Sequence, residues 1–582
     1  MLAIPHRRRL APIRSARLKP PSRETGVALA CAALSFALKL IITGYGLPHE
    51  FNSDAAYILK DPLKLTYLYT SGNFSYPTNL FFWIVQAWYA LLFIGGVGTG
   101  AWHNAAEFRD AIAGEAPIIL FWGRLLGVTA SAVGVFILTR MLARTIASRS
   151  VRLLVCALLA LNPIDLVSSA WLKFDGAAYL MNAVMVAALI TYLRDHDGRA
   201  RRRLYALAIV VCSFRIDLSA FLIATVAHDL VHRHPFAPVR RAIVAGALGY
   251  ATVTLLPLVL LYRALGRGAA AHAVTGSNLL AVSNTFEQNI TKYFRDNLSI
   301  AAIVQTLATN LAFYALLLLA LGPLTILALW PGLPRNREAK VCLTIAAILL
   351  APLLLFPANG TRYFLLLSVQ LILVAGWTAA SIRRPALRYA VVAVALAWVG
   401  SLTIETVVAL RGATDSRIAA GRYLIEQSNP HDLIAIEGYV NPGHHPVVDE
   451  CPDELRLKAK AIRESGLGTG ETLRLKADRS ASDCRRVLEI TARDRFAGTP
   501  YQGRWINVHD AAALANMQPP PLLYAIESPD VGEPAPPAFV RFIAERYELV
   551  RVFEPRFSDP RLRWLLTGTP YYMKLLVYRL KA

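Results

Sequence analysis

Charge is scarce in this chain, and acid scarcer still. Of its 582 residues 17% are charged, with 39 acids against 61 Lys and Arg. An average soluble domain is about 25% charged, so a wholly soluble reading is excluded. Six cysteines in such a length are too few for a disulfide-built scaffold. No internal repeat or low-complexity segment breaks the sequence. The one phosphate-loop-like stretch, GLGTG at 466–470, lacks a preceding strand and a following Lys-Ser/Thr. It reads as a plain loop.

What is abundant is apolar surface. Hydrophobic residues make up 55% of the chain and mean hydropathy is +0.42. They fall in runs of about 20, the length that crosses a bilayer, so the chain reads as a polytopic α-helical membrane protein. The first 25 residues carry Arg7, Arg8, Arg9, Arg14, Arg17, Lys19 and Arg23 against the single acid Glu24. That pattern reads as a cytoplasmic basic tail (1–25) ahead of an uncleaved span. The net charge of +22 is spread over short clusters between apolar runs. This is the signature of membrane orientation and not a nucleic-acid-binding stripe.

Basic connectors fall at 140–152, 194–203, 233–241, 335–340 and 383–388. If all face the cytoplasm, an even number of crossings separates each from the next. Two spans, 151–170 and 177–193, join the first pair. The segment 204–230 makes two short crossings that meet at a polar apex holding Arg215 and Asp217. Spans over 242–263, 300–330, 341–357, 363–380 and 389–409 complete the count at about 11 transmembrane helices. The same parity puts 47–118 outside as a first outer loop. Its apolar segment 79–96 is then expected as interfacial helices along the outer face, a depth that suits Trp83, Trp88 and Tyr89.

Residues 411–582 are polar. Helical patterns (GRYLIEQ, PAFVRFIAERY) alternate there with strand-like runs (DLIAIEG, LLYAIES, LVRVFEP, KLLVYRL), which predicts a C-terminal extracytoplasmic α/β domain. Cys451 and Cys484 are its only cysteines and would pair in an oxidising compartment. Cys31, Cys156, Cys212 and Cys342 lie in apolar spans and read as buried structural thiols. The cluster NPGHHPVVDEC (His444, His445, Asp449, Glu450, Cys451) has no fixed zinc spacing and reads as a surface loop. His228, His232 and His234 fall on the cytoplasmic side.

Polar chemistry gathers at the outer ends of the spans: Asp54 after span 1, Lys173 and Asp175 between spans 3 and 4, Arg215 and Asp217 at the short hairpin, and Arg362 and Tyr363 opening span 10. Ionisable groups at membrane depth are costly and mark either a substrate path or ion pairs. Local pairs of Asp54 with Lys60, or of Arg215 with Asp217, are the plainer reading of each residue taken singly. Four outer loops carrying such groups together favour a site.

Taken in order, GNFSYPTNLFFW behind the Asp54 loop, GRLLGVTASAVGVFILTRMLA, VRLLVCALLALNPIDLVSSAWLKFDGAAY, the tight hairpin and TRYFLLLSVQLILVAGW resemble the GT-C glycosyltransferases. Within them the pattern looks most like the dolichyl-phosphate-mannose and aminoarabinose transferase branch. The resemblance covers 26–410, expected as a GT-C-like transmembrane module, and extends loosely to 411–582. It departs from the branch in the first loop, where Ser53-Asp54-Ala55 stands in place of an Asp-Glu pair.

The resemblance implies a membrane glycosyltransferase of the cytoplasmic (inner) membrane, its C-terminal domain periplasmic. Such an enzyme performs inverting-type transfer of a sugar from a polyprenyl-phosphate carrier to a glycan, lipid or protein acceptor of the cell envelope. Asp54 would be the catalytic base, with Tyr57 beside the substrate. Arg362 would hold the lipid phosphate, backed by Arg215 and Lys173; Asp217 and Tyr363 complete the binding set. Asp175 would orient acceptor or sugar, or help hold a divalent metal, although one carboxylate per loop offers few oxygens for a tight site. A transporter or flippase of lipid-linked glycans is the alternative; it would favour inverted repeats and midplane charges.

Overall fold

The computed structural model describes residues 23–47, 80–113, 116–195, 198–256, 300–333, 335–355, 360–412, 415–437, 446–465, 471–478, 483–490, 500–501, 515–517, 520–527, 537–555, 557, 559–566, 569 and 571–581. Asp54, Tyr57, Lys60, His444, His445 and the GLGTG stretch lie outside the described residues.

The protein is a polytopic helical membrane protein with a C-terminal sheet domain. Its helices are α1 (Arg23–Thr43), α2 (Leu80–Thr99), α3 (Ala105–Ala113), α4 (Pro117–Thr145), α5 (Arg149–Ala160), α6 (Pro163–Ser169), α7 (Asp175–Asp195), α8 (Gly198–Cys212) and α9 (Ser219–Val231). Then come α10 (Ala237–Leu256), α11 (Ile300–Leu321), α12 (Pro323–Leu329), α13 (Arg337–Leu355), α14 (Leu365–Ser381) and α15 (Pro385–Gly412). Among the described residues nine helices are long and apolar enough to cross a membrane. The expected count of about eleven sets α2 aside and adds the shorter α8 and α9 and the Pro352-containing α13.

The bundle has two chemically distinct ends. Arg140 donates to Thr25, Arg194 to the Arg144 carbonyl, Arg337 to the Leu193 carbonyl and Arg201 to the Pro235 carbonyl, so four of the basic connectors meet at one end. At the other end Arg124 caps the C-terminal carbonyls of α1, donating to Thr43 O (2.8 Å) and Tyr45 O (2.7 Å). Close by, α4 and α7 touch backbone to backbone: a Cβ on Gly176 would collide with Gly127 O. That contact seats the neighbouring Asp175.

The segment expected as interfacial helices is one continuous 20-residue helix, α2, and by length and apolarity alone it is fit to span. Several of its contacts lie at the Arg124 end. Phe81 packs edge-on against Phe174 (6.2 Å) and Phe214 (5.6 Å). Tyr89 donates to Ile119 O (2.7 Å), and Trp88 stacks on Trp122. Its last turn meets Trp102.

Span 3, expected as one helix over 151–170, is broken at Leu161. Asn162 caps α6, its side chain accepting from Ile164 N (3.1 Å), and Pro163 sits at the first helical position. The break turns Asp165 inward. Lys39 of α1 donates to Asp165 Oδ2 (2.6 Å), Ser35 (2.6 Å) and Ser131 (2.7 Å), using all three of its protons. Ser131 and Ser169 also donate to the Asp165 carboxylate. Both charged side chains are buried, with every formal valence satisfied.

The C-terminal domain is built on a five-stranded mixed sheet, β1 (Leu433–Glu437), β2 (Arg486–Ile490), β3 (Leu523–Glu527), β4 (Tyr547–Phe553) and β5 (Leu575–Leu580), in the order β2-β1-β3-β5-β4. The first three strands are parallel and β5 runs antiparallel to β3 and β4. Five helices, α16 (Ser416–Glu426), α17 (Pro452–Glu464), α18 (Glu471–Ala477), α19 (Pro537–Arg546) and α20 (Pro560–Leu566), accompany it. A disulfide joins Cys451 to Cys484. Those sulfurs lie near His431, but as a disulfide they offer no thiolate to a metal.

Two tests follow from these contacts. Lys39→Met alone strands a buried carboxylate and is expected to cost about 3–5 kcal/mol. Lys39→Met combined with Asp165→Asn is expected to cost less than the sum of the singles in detergent unfolding. Strict additivity would deny the interaction. The second test concerns α2. Cysteines placed at Ser71 and Glu107, on either side of it, are expected to label from the same face of sealed membranes; labelling from opposite faces would make α2 a crossing.

Candidate functional site

The site is assembled from three loops at the Arg124 end. The break in span 3 delivers the loop 170–174, and α7 then opens on Asp175. Helices α8 and α9 have 15 and 13 residues, short of the roughly 20 that a full crossing needs. Their apex at 213–218 therefore lies within membrane depth, where a charge must be paired.

Arg215 is paired twice. Its Nη1 donates to Asp175 Oδ1 (2.7 Å), its Nε to Asp217 Oδ1 (3.1 Å) and its Nη2 to Asp217 Oδ2 (2.5 Å). The fork on Asp217 is the bidentate geometry that guanidinium and carboxylate favour. Phe174 covers the guanidinium, its ring centroid 5.4 Å away. Asp175 is 1% exposed, Arg215 11% and Asp217 25%, so the link between loops is the drier half. The local Arg215–Asp217 pair expected from sequence exists, but as part of a trio that also recruits Asp175.

The third loop is a 3-10 turn, Thr361–Phe364, that leads into α14. Arg362 Nη2 donates to the Tyr363 hydroxyl (2.6 Å), and the guanidinium sits 4.6 Å from that ring's centroid. Tyr363 is in turn close enough to Arg215 to interact with its charge. Asp175, Arg215, Asp217, Arg362 and Tyr363 are thus brought together. Lys173 belongs to the same loop as Asp175 and is buried.

The set does not fit a divalent cation among the described residues. Asp217 turns both oxygens and Asp175 its Oδ1 onto the Arg215 guanidinium, which leaves too few carboxylate oxygens in this set for a six-oxygen shell. Counting formal charge, two carboxylates against one guanidinium leave the trio at −1. Two carboxylates thus compensate the positive charge of Arg215.

The C-terminal domain roofs this end. Thr361 donates to Leu565 O (2.7 Å). Tyr571 packs edge-on against both Tyr45 and Trp171, with centroids 5.1 Å apart in each case. Sequence reasoning named the charged residues and missed the aromatic frame of Phe81, Phe174, Phe214, Trp171 and Tyr571. It also missed the Lys39–Asp165 pair beneath. A lysine in an otherwise apolar first span, and an acid just after Asn-Pro in another, were the available signals.

No family model matches the chain, and no curated protein matches it by sequence. Among solved structures it is similar to the crystal structure of ArnT from Cupriavidus metallidurans bound to undecaprenyl phosphate. That likeness has 11% identity and a TM-score of 0.45, and covers 95% of this chain and 98% of that chain. It is too slight to carry an argument, so function must be read from this chain's own residues.

The trio itself is testable. Asp175→Asn is expected to lower stability by about 1–3 kcal/mol, and Asp217→Asn by less, because Asp217 is the more solvated carboxylate. Thermal unfolding of the full-length variants gives the order. A larger loss for Asp217→Asn would make the pair local and remove Asp175 from the link between loops.

Proposed function

We propose that the protein is a glycosyltransferase that moves a sugar from a polyprenyl-phosphate carrier to an acceptor hydroxyl on the outer face of the cytoplasmic membrane. One observation carries the reading: a charged, aromatic-framed cluster from three loops (Asp175, Arg215, Asp217, Arg362, Tyr363) at the end of the bundle opposite the basic connectors. Membrane-depth charges confined to one face suit a reaction at that face better than a route through the midplane, which weighs against a transporter.

Each residue then has a task. The acceptor oxygen forms its bond to the anomeric carbon as the bond from that carbon to the phosphate oxygen breaks. The acceptor's proton goes to a base, and the electron pair leaves on the lipid phosphate. A carboxylate serves as that base, and Asp54, on the chain leaving α1 at this end, is our candidate. The departing phosphate needs a cation in a low-dielectric cleft. Arg362 takes that role with Lys173 behind it. The trio holds the loop of Asp175 against the hairpin so that these groups keep their spacing, and Tyr57 and Tyr363 offer hydroxyls to the sugar. The outer domain, extracytoplasmic in this reading, closes over the acceptor side.

The test uses full-length protein, a labelled polyprenyl-phosphate sugar and turnover normalised to folded enzyme. Asp54→Asn is expected to lose about 10²–10⁴-fold in turnover with an unchanged melting temperature, and Asp54→Glu to recover part of it. Arg362→Ala is expected to raise KM for the carrier more than Arg362→Lys does, because lysine keeps a point charge but not the fork. A stable, fully active Asp54→Asn protein would remove the base and most of the proposal. Movement of the intact carrier across the membrane without transfer would favour the flippase.

A further inference from the structure

At the end opposite the candidate site, α4 and α7 diverge and leave a groove of about 360 Å³. Its lining is graded. Phe136, Ile137 and Ala187 form the deeper part, Met141 and Ile190 the middle, and Arg140, Arg144 and Arg194 the mouth. The grading follows from helical spacing. Residues 136, 140 and 144 recur every fourth position along one face of α4, and 187, 190/191 and 194 do so along α7. From Ile137 to Arg144 the groove climbs about 10 Å at 1.5 Å per residue, roughly the distance from upper acyl chain to headgroup phosphate.

Arg140 donates to Thr25, and Arg194 donates to the Arg144 carbonyl and lies 3.6 Å from Glu338. Arg144 and Arg194 are exposed at the surface. Guanidiniums offer paired N–H donors that match phosphate oxygens, and basic pockets between spans on the cytoplasmic side suit anionic headgroups.

We infer that this groove is a binding site for an anionic phospholipid of the leaflet facing the basic connectors. The phosphodiester is held at the mouth by Arg140, Arg144 and Arg194, and one acyl chain lies along Phe136, Ile137, Ala187 and Ile190. Charge complementarity and the apolar-to-basic gradient select this occupant. A zwitterionic lipid brings a cationic group to the same arginines, and a soluble anion leaves the apolar half uncovered. The site does not depend on the proposed sugar transfer, and its lining shares no residue with the candidate catalytic cluster.

The experiment is native mass spectrometry of full-length protein in neutral detergent, titrated with phosphatidylglycerol or phosphatidylcholine. Phosphatidylglycerol is expected to be retained at least tenfold more tightly. Each guanidinium near an anionic surface contributes about fivefold, so Arg144→Gln with Arg194→Gln is expected to weaken retention about 30-fold. Ala187→Phe fills the groove with all charges in place and is expected to weaken retention too, which separates a seated lipid from diffuse attraction. Equal retention of the two lipids, or retention unchanged in the double variant, would overturn the site. Displacement of phosphatidylglycerol by a polyprenyl monophosphate at lower concentration, dependent on the same arginines, would overturn it as well by assigning the groove to the carrier.

Discussion

The buried pair between Lys39 and Asp165 is the constraint on which the site geometry rests. A charge at this depth is stable only where its partner and its remaining valences are supplied, and here α1, α4 and α6 supply them together. The pair lies about 6 Å below the end of α1, from the four residues between Lys39 and Thr43 at 1.5 Å each. It fixes α6, a helix of seven residues too short to hold its place by itself. That helix leads into the loop carrying Lys173 and Asp175 and packs against the turn carrying Arg362. Loss of the pair would therefore be felt at two of the three loops, although neither Lys39 nor Asp165 belongs to the cluster.

Electrostatics divides labour among the cations of that cluster. Arg215 and Arg362 look equivalent as letters in a sequence. Two carboxylates neutralise the first, whereas the second leans on a neutral phenol. The carboxylates hold Arg215 within the trio, whereas the Arg362 guanidinium lies over the Tyr363 ring and donates to its hydroxyl. The asymmetry arises from the short hairpin. Because α8 and α9 do not span fully, their apex lies at a depth where an unpaired guanidinium would be costly, so Arg215 must be compensated from within the protein. Arg362, on a turn closer to the roof, is under less demand.

Much of the architecture was legible in the sequence because bilayer physics leaves few options. Apolar runs of spanning length, basic connectors and parity gave the helix order. The strand-like runs DLIAIEG, LLYAIES, LVRVFEP and KLLVYRL hold β1, β3, β4 and β5. Strand β2, RVLEI, was not singled out. It is an edge strand with a short pattern, and such a pattern scarcely differs from the charged runs around it. The kink in span 3 escaped because hydropathy averages over the very window in which Asn162 and Pro163 break the helix. Helix α2 was hard for a related reason. Hydropathy reports what surrounds a segment and not its direction, so it does not separate an interfacial α2 from a crossing one.

The outer domain was expected as a separate unit, yet its packing argues for a fixed roof. Leu562, Leu565, Leu566, Tyr571 and Tyr572 are buried in the same hydrophobic cluster as the membrane helices. Arg561 lies over Trp398 of α15, 4.6 Å from the ring centroid, and Tyr571 packs edge-on against Tyr45 just past α1. Contacts from α1, α15 and the 3-10 turn leave little freedom for a hinge, since each apolar residue drawn back into water would cost about 1.5–3 kcal/mol. In the proposed transfer, a ligand reaches the cluster from the side, between roof and bundle. For a lipid-borne substrate that direction is the natural one, because its tail stays in the bilayer while only the headgroup passes under the roof.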